Sequence, residues 1–578
     1  MPASLTPSSK YVAPRRRHRR APLPTILIHW SLVIVFAVSF ATGLRIASDT
    51  QGALVTAALA PALPQGPVFF WHLAAGLILL SLMLIYAAYQ VHSGLWRRLL
   101  RLPRAARTKA PGLHSIAHWR QLDRQLYWLA FLLLSLATIT GVMQYLGALW
   151  PSASAVEGLH RGAAWGLLGY ALAHVGLQLK EGGLSKLTAI LIPRIAFLRA
   201  SAVALLVGLA LVGGAALIER LFTRGLTVEH TTAAPILDGR ADDAAWEHAP
   251  AIRLRLANGA NLPGGETDVV IRAVHDSERI YLLCEWIDPT RSTEHVPLLK
   301  TRQGWRILQT AYREADENRY YEDKFAVMLA SANPLAALQS VHLGERPLAG
   351  EPGAPGGRGL HYTTDGSILD VWHWKSVRNA AQRQADDNFF GPPLAAPSKT
   401  PRVRNPDSGA WFPRYTAGYR KDPPGTFSGY EMNWEFFDEG RVLPLRLPDD
   451  PRDLVAARTI MATIGSVSVV DPSTTGWIEF NDTHAYADGA DHFPVGTVLP
   501  SVLPTGPLTG DRGDIRARGR WSDGRWYLEL SRRLDTGSAR DIPIDDGTLL
   551  WVAVFDHSQT RHAYHLRPVR LRLDRLKP

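Results

Sequence analysis

Residues 159–174, LHRGAAWGLLGYALAH, form an apolar, glycine-spaced stretch with a histidine near each end. An ionisable side chain inside a lipid bilayer costs free energy unless it has a partner, which makes each histidine a candidate functional residue. The fourteen-residue step from His160 to His174 corresponds, in an α-helix, to about 21 Å and nearly four whole turns. Both imidazoles are therefore expected on one face of a membrane helix, at two depths.

The stretch is one of five apolar runs in the first 220 residues of the 578-residue chain. Each run approaches the roughly 20 residues that a bilayer-spanning helix needs. The first run is too long for the apolar region of a signal peptide, so we interpret it as a retained span. We expect a basic tail over 1–24 and an all-α transmembrane four-helix bundle plus a fifth span over 25–220, with spans near 25–47, 67–91, 126–149, 158–179 and 197–218.

Lysine and arginine mark one side of this bundle. The tail 1–24, the connection 92–125 and the segment 180–199 are rich in Lys and Arg, whereas 48–66 and 150–157 contain neither. Because basic connections stay on the cytoplasmic side, the sequence predicts a multi-pass protein of the cytoplasmic (inner) membrane with a cytoplasmic N-terminus and a periplasmic C-terminal domain. These flanks explain the net charge of +11, so membrane lipid, and no nucleic acid, is the expected partner.

Two further histidines, His29 and His72, lie in the first and second runs. With the N-terminus inside, His29 is expected near the inner end of span one and His72 near the outer end of span two. Span four runs inward, so His160 is expected near its outer end and His174 near its inner end. The sequence therefore predicts an outer pair, His72 with His160, and an inner pair, His29 with His174.

Two stacked pairs of imidazoles in a dry helix bundle match the axial ligands of two b-type hemes. The chain has one cysteine, which excludes covalent heme attachment through a CxxCH motif. Arg45 and Arg161 are candidates to pair with propionates of the outer heme, and a simple interfacial position is the alternative. Either space for a macrocycle or close helix packing explains the glycines Gly76, Gly162, Gly166 and Gly169.

Residues 20–220 resemble the bacterial cytochrome b-561 family and the related b-type cytochrome subunit of nickel hydrogenases. The resemblance rests on His29 followed by Trp30, on His72 followed four residues later by Gly76, and on the two histidines of the fourth run. It implies a diheme membrane protein that exchanges electrons with quinone or quinol.

From about residue 226 the sequence changes to short alternating runs, such as TDVVIRAVHD, RIYLLCEWID and LLWVAVFD. Gly, Pro, Asp and Asn separate these runs, which is typical of strands joined by turns. The sequence thus predicts a multidomain protein in which residues 226–578 form an all-β, antiparallel sandwich domain in the periplasm.

Residues 235–246, PILDGRADDAAW, resemble the opening of sandwich domains in two groups. One is the heme-binding subunit of ethylbenzene dehydrogenase and its relatives, the cytochrome c-552/DMSO reductase-like domains; the other is a family of carbohydrate-binding modules. DKFAVML at 323–329, DVWHWKS at 370–376 and GRWSDGRWYLELSRRLDTG at 519–537 are similar to the heme group. This resemblance, spread over most of 230–575, implies one b heme in the sandwich.

In the dehydrogenase subunit a methionine and a lysine hold the heme, and the resemblance carries these roles to two histidines. His342, in LQSVHLGERP, falls in the segment of the methionine, and His565, in TRHAYHLRP, falls at the lysine. Both replacements are good ligands, so a bis-histidine heme is expected. Lys375 is a candidate to pair with a propionate, and the alternative ligands are His562, His361, Lys375 and Met328.

The chain has no hydrolytic triad, P-loop, nucleotide-binding glycine motif or molybdenum signature. We therefore expect an electron-transfer component of a respiratory oxidoreductase, not a substrate-converting subunit, that links the quinone pool to an unknown periplasmic redox protein. The alternative is a membrane-anchored carbohydrate-binding or sensory module with heme only in the bundle, using Trp411, Trp477 and Trp521 as stacking platforms.

Overall fold

The structure is a computed structural model that describes residues 21–48, 58–59, 62–64, 66–97, 116–184, 188–191, 193–195, 197–221, 223–310, 317–331, 333–339, 341–342, 361–363, 365–392, 403–404, 411–412, 419–421, 426–438, 441–449 and 476–574. These residues form two compact units. The first unit contains the described parts of 1–38, 75–138 and 160–217, and the second contains those of 39–74, 139–159 and 218–578.

Five long helices form the N-terminal part, and each contains most of one apolar run. They are α1 (Leu23–Ala47), α2 (Val68–His92), α3 (Ile116–Leu146), α4 (Ala153–Gly182) and α5 (Leu198–Leu221). Two short helices, α6 (Ala244–His248) and α7 (Ala336–Gln339), lie in the β-rich part. The predicted helical N-terminal region is therefore present.

Three stretches within the described residues are long and apolar enough to cross a membrane by length and composition: Leu23–Ala47, Val68–His92 and Gln125–Leu146. A fourth apolar stretch, Leu198–Gly214, is shorter. Helix α4, which carries two of the four candidate histidines, also contains Glu157, Arg161 and Lys180. These charges lower its hydropathy, so the structure supports three spans directly, and five spans stay a prediction.

The C-terminal part is built around ten strands whose sheet closes on itself. In chain order they are β1 (Gly225–His230), β2 (Thr267–His275), β3 (Arg279–Ile287), β4 (Lys324–Ala330), β5 (Leu369–Lys375), β6 (Gln384–Phe390), β7 (Ile515–Ser522), β8 (Arg525–Arg533), β9 (Leu549–Phe555) and β10 (Val569–Leu573). The order around the ring is β5-β4-β9-β10-β1-β2-β3-β8-β7-β6, and β6 pairs again with β5. Pairs β10–β1 and β1–β2 are parallel, and the other pairs are antiparallel.

This closure corrects the expected sandwich to a ten-stranded barrel. The β5–β6 ladder runs from Leu369 opposite Phe390 to His373 opposite Asp386, and it removes the free edges that two separate sheets would have. Alternation of apolar and polar residues is the same in a strand of a sandwich and in a strand of a barrel. The sequence pattern therefore predicted the strands but not their closure.

Side chains fill the interior of the barrel. Trp286 stacks between Phe325 and Trp526 at ring-centroid distances of 4.9 and 6.0 Å, and Trp374 lies edge-on to Trp526 at 5.1 Å. All four rings are buried within one core cluster to which each of the ten strands contributes. Aromatic side chains therefore occupy the middle of the barrel.

Shorter strands extend the barrel or form small separate sheets. Ala251–Leu256 pairs with β2, Tyr419–Arg420 with β6 and Ala563–Tyr564 with β9. A five-stranded sheet with its own core has the order Trp434–Asp438, Arg441–Pro444, Gly304–Ile307, Leu298–Thr301 and Val498–Leu499. Two-stranded ladders join Ala21–Pro22 to Pro193–Arg194, Val341–His342 to His361–Tyr362, Val403–Arg404 to Trp411–Phe412, Tyr430–Met432 to Val502–Pro504 and Arg446–Pro448 to Thr483–Ala485.

The motif at 235–246 has a structural role in this fold. The buried carboxylate of Glu529, on β8, accepts hydrogen bonds from the main-chain N–H groups of Asp238 and Gly239, both at 2.8 Å. It also accepts one from the indole N–H of Trp246 at 2.9 Å. The motif therefore ties the segment between β1 and β2 to the barrel wall.

Candidate functional site

His72 lies in the first turns of α2, and its ring is oriented by the main chain of α1. Its Nδ1–H donates to the carbonyl oxygen of Ser39 at 3.0 Å, and the hydroxyl of Thr42 donates to the same oxygen at 3.1 Å. A carbonyl only accepts hydrogen bonds, so the proton of the neutral ring sits on Nδ1 and the lone pair on Nε2. Histidines that bind metals are commonly held by such a hydrogen bond from the second ring nitrogen.

His160, on α4, has the same arrangement. Its Nδ1 lies 2.9 Å from the carbonyl oxygen of Ala137, which assigns the lone pair to Nε2. Two histidines on different helices thus share one tautomer, fixed in each case by a helix carbonyl. His72 and His160 belong to different units, and their pairing stays a prediction.

The absence of a side chain at Gly43, on α1, makes room for the His72 ring. A Cβ atom added to Gly43 would lie 3.0 Å from Cε1 of His72 and 3.4 Å from its Nδ1. Ordinary contacts of this kind are 3.4–4 Å long, so any larger residue at this position must displace the ring. Gly43 therefore belongs to the set of residues that position His72, and its role was not predicted from the sequence.

The inner candidates, His29 and His174, both lie in the first unit and are close enough to interact electrostatically. The His174 ring stacks on Tyr170 at 5.5 Å, with an interplanar angle of 26°. The His29 ring lies edge-on to Trp30 at 5.8 Å. Both rings are half-buried, as expected for side chains that face a bundle and not lipid alone.

The candidate arginines differ from each other. Arg45 is 4% exposed near the end of α1, and its Nη1 donates to the hydroxyl of Ser48 at 2.9 Å. Arg161 is exposed on α4. The buried position of Arg45 is unusual for a simple interfacial arginine and fits a cation held for an anionic group.

The predicted glycines also separate into two groups. A Cβ at Gly166 would lie 3.0 Å from the side chain of Leu133, so Gly166 serves helix packing. A Cβ at the other three would meet no described atom within 4 Å; these are Gly76, Gly162 and Gly169. They are not needed for a close helix contact in the structure and agree better with space for a flat ligand.

In the barrel domain, the geometry does not favour His565 as an iron ligand. Its Nε2 accepts a hydrogen bond from the main-chain N–H of Val552 at 3.0 Å, and its Nδ1–H donates to the carbonyl of Arg567 at 2.7 Å. Loss of hydration lowers the pKa of His565 to about 4, so the ring is neutral and joins two main-chain segments. His342 lies opposite His361 in a two-stranded ladder, and the side chains of both lie outside the described residues.

The other candidates of this domain have identified contacts. Lys375 is buried and forms an ion pair with Asp386. His562 donates from Nδ1 to the carbonyl of Thr560 at 2.9 Å. Met328 is half-buried on the outer wall of β4. These positions are compatible with a binding surface on the wall but do not by themselves define one.

His373, which the sequence analysis did not select, lies on the same wall. Its neighbours Trp372 and Trp374 are both in the barrel core, so alternation along β5 places His373 on the outer face. Its Nε2 is buried and has no hydrogen-bond partner within the described part of the chain, and its ring stacks on Phe555 at 5.5 Å. The signal in the sequence was the period of two in WHWK, which separates this histidine from the tryptophans on either side.

Three buried carboxylates lie together at one end of the barrel: Asp288 follows β3, Asp323 precedes β4 and Asp556 follows β9. Burial and, next, the charge of Asp556 raise the pKa of Asp288 to about 8. The pKa of Asp323 is also well above its usual range, first because of burial and then because of the two neighbouring carboxylates. The carboxyl group of Asp288 is therefore mostly protonated at neutral pH.

The tryptophans proposed as sugar platforms are only partly available. The indole N–H of Trp521 donates to the carbonyl of Asp288 at 3.0 Å, and that of Trp477 donates to Glu479 at 2.9 Å. Both side chains are half-buried, whereas the side chain of Trp411 lies outside the described residues. The described part of the domain thus contains no pair of fully exposed, adjacent indoles at these positions.

Comparisons with solved structures give likenesses to a carbohydrate binding module family 9 (CBM9) from Caldicellulosiruptor kristjanssonii. Its complex with cellotriose has 7% sequence identity and a TM-score of 0.22, and the match covers 61% of this chain and 95% of that chain. For its complex with glucose the values are 9%, 0.21, 61% and 100%. At these TM-scores the likeness carries no argument about the ligand of this chain. No curated protein matches the chain.

Two family models match successive parts of the chain, as the sequence analysis predicted. The model described as prokaryotic cytochrome b561 matches residues 20–191, and the model described as ethylbenzene dehydrogenase matches residues 243–567. The first match, with the apolar helices, identifies an integral membrane domain of the b-type cytochrome class, which transfers electrons through b-type heme. The second match spans more than half of the chain. The chain therefore belongs to the ethylbenzene dehydrogenase family, and it carries a prokaryotic cytochrome b561 domain at its N-terminal side.

Proposed function

We propose that this protein is a cytochrome of the inner membrane that passes electrons between the quinone pool and a periplasmic redox partner. Two b hemes in the helix bundle and one b heme on the barrel domain form the route. The observation that carries the proposal is the shared geometry of His72 and His160, whose Nδ1–H groups are bonded to helix carbonyls at 3.0 and 2.9 Å.

The residues of the bundle fit bis-imidazole ligation. The carbonyls of Ser39 and Ala137 hold the Nδ1–H groups of His72 and His160, which assigns the lone pair of each ring to Nε2. A hydrogen bond from the second nitrogen also makes the ligand more basic and fixes the ring plane. His29 and His174, which lie in the same unit and interact electrostatically, form the second pair in this proposal. When bound, heme supplies one-electron redox chemistry, and the axial ligands tune its potential.

The charge of the chain supports the same route. Arg45 offers a buried cation to a propionate of the outer heme, and Arg161 a second one at the surface of α4. The basic flanks support a cytoplasmic N-terminus, and an odd number of spans then leads to a periplasmic barrel. Quinone is the expected membrane partner because it is the usual partner of cytochromes b561.

Four single substitutions test the ligand pairing in the full-length protein, purified in detergent. Pyridine-hemochrome spectra give the number of b hemes for each chain. We expect His72→Ala and His160→Ala to lose one heme of identical midpoint potential, and His29→Ala and His174→Ala to lose the other. The exposed His92, at the end of α2, provides the matched control, and His92→Ala should retain every heme.

The double variant His72→Ala/His160→Ala should lose no more heme than either single variant. A protein that binds no heme, or variants whose losses do not group into these two pairs, would overturn the proposal. Reduction of the wild-type hemes by a quinol, and its absence in all four variants, tests the quinone step separately.

A further inference from the structure

The outer wall formed by β5, β4 and β9 has a histidine set among small side chains. In the ladders, Ala326 lies opposite His373, and Ala553 lies opposite Ala326. All three are half-buried, whereas the residues that alternate with them face the packed core. The β4 and β9 side of His373 is therefore low and apolar, whereas the buried Asp386, paired with Lys375, lies opposite it on β6.

The Nε2 atom of His373 is buried and has no hydrogen-bond partner among the described residues. Leaving a buried polar atom unpaired costs about 1–3 kcal/mol, so such an atom in a native protein needs an explanation.

Two other buried histidines of this domain have occupied nitrogens. Nε2 of His275 lies 3.0 Å from the carbonyl of Asp574, and both nitrogens of His565 are bonded to the main chain. Nδ1 of His295 lies 3.1 Å from Oε1 of Glu322, and burial lowers the pKa of His295 to about 4, so its ring is neutral. His373 differs from them because its Nε2 has neither a main-chain nor a carboxylate partner.

Cations surround this part of the wall. Lys324 donates from Nζ to the carbonyl of Gln559 at 2.8 Å and lies over the Phe555 ring at 4.0 Å. Arg378 and Lys375 also act on His373 electrostatically, and each has a carboxylate partner.

A series of aromatic rings leads from His373 towards helix α2, all of it within the second unit. His373 stacks on Phe555, which contacts His562 at 4.7 Å, and His562 lies 5.6 Å from Tyr564. Tyr564 in turn lies edge-on to Phe69 at 6.3 Å. Phe69 precedes His72, the proposed ligand of the outer heme, by one helical turn.

From the unpaired Nε2, the low wall and the ring series, we propose that His373 is an axial iron ligand of a b heme held on the outer wall of the barrel. This inference rests on the proposed electron-transfer function and replaces His565 in the ligand set. Met328 lies diagonally beside His373 on the same wall. It is therefore not suited to be the second ligand, which would have to lie across the heme from His373. Phe555, His562 and Tyr564 then form a packed path between this heme and the outer heme of the bundle.

A cavity experiment separates ligation from structural support. His373→Gly, in the full-length protein, should contain one b heme fewer than the wild type, and imidazole in the buffer should restore it together with its absorption band. His275→Gly removes a buried histidine with satisfied nitrogens and should retain all hemes. His565→Gly should likewise retain them. If His373→Gly fails to fold, His373→Gln keeps the side-chain volume and should also lose one heme.

The possible outcomes are distinct. Retention of the full heme content in the variants at 373, or a loss that imidazole does not reverse in a folded protein, would overturn the assignment of His373. A wild type with two hemes, both sensitive to the bundle histidines, would also overturn it while leaving the function of the bundle intact. A wild type without heme would refute the proposed function itself.

Discussion

Gly43 provides the most direct test of how the proposed outer heme is held. A methyl group at this position would lie 3.0 Å from Cε1 of His72, so the ring must retreat by about 0.4 Å to regain an ordinary contact. A shift of that size along the Nδ1–H···O=C direction would stretch the 3.0 Å bond to Ser39 to about 3.4 Å, near the limit for a hydrogen bond.

Two effects of Gly43→Ala oppose each other. Alanine in a helix interior is about 1 kcal/mol more favourable than glycine, whereas overpacking costs about 1–3 kcal/mol. Loss of a hydrogen bond that orients a metal ligand typically weakens metal binding by about 10–100-fold. We therefore expect Gly43→Ala to release the outer heme about tenfold faster, and Gly43→Val to release it faster still.

Transfer of heme to an excess of an apo-globin acceptor, followed by absorbance, measures the release rate. Gly213→Ala is the matched control, because Gly213 lies in α5 and a Cβ there meets no described atom within 4 Å. The control should leave both release rates unchanged. Equal release rates for Gly43→Val and the wild type would refute the claim that Gly43 makes room for an iron ligand.

Three further predictions concern the stability of the barrel domain, measured by chemical denaturation with tryptophan fluorescence. The folded-state pKa of Asp288, about 8, exceeds its usual value of 3.8, so the domain should lose up to about 1.4 kcal/mol per pH unit as pH rises between these values. Asp288→Asn should reduce that loss of stability, whereas the control Asp546→Asn, at an exposed position, should leave it unchanged. A Cβ on Gly519 would lie 2.2 Å from Trp374, so Gly519→Ala should cost about 1–3 kcal/mol, and adding Trp374→Phe should recover part of it. Glu529→Ala leaves three donors without their acceptor and should cost about 3–5 kcal/mol; a cost below 1 kcal/mol would contradict the role assigned to the opening motif.

Hydropathy predicted the positions of the long helices where a helix and its apolar run have the same ends. The runs at 25–47 and 67–91 correspond to Leu23–Ala47 and Val68–His92 within two residues at each end. Helix α3 begins at Ile116, ten residues before its apolar run, because helical hydrogen bonding continues through charged residues. Hydropathy therefore detects the part of a helix that suits lipid, and it does not detect polar extensions.

The closure of the barrel depended on contacts that no local pattern contains. Strands β5 and β6 are close in the chain, and their ladder is a simple antiparallel pair. What turns the sheet into a barrel is that β5 also pairs with β4 and β6 with β7, which comes more than a hundred residues later. Such a pairing depends on shape and total packing, so strand patterns left sandwich and barrel equally compatible.

The predicted heme ligands of the barrel show why a sequence resemblance was insufficient. The resemblance places His565 at a family ligand position, but whether an imidazole can bind iron depends on what its two nitrogens already contact. The N–H of Val552 and the carbonyl of Arg567 take both of them, and neither contact leaves a trace in the sequence, since every residue has a main-chain donor or acceptor to offer. His373 was recognisable in principle, because the tryptophans beside it must face the core and so turn it outward. His373 lies on the outer wall, and its Nε2 has no hydrogen-bond partner among the described residues. It is thus a stronger ligand candidate than His565, whose two ring nitrogens are both bonded to the main chain.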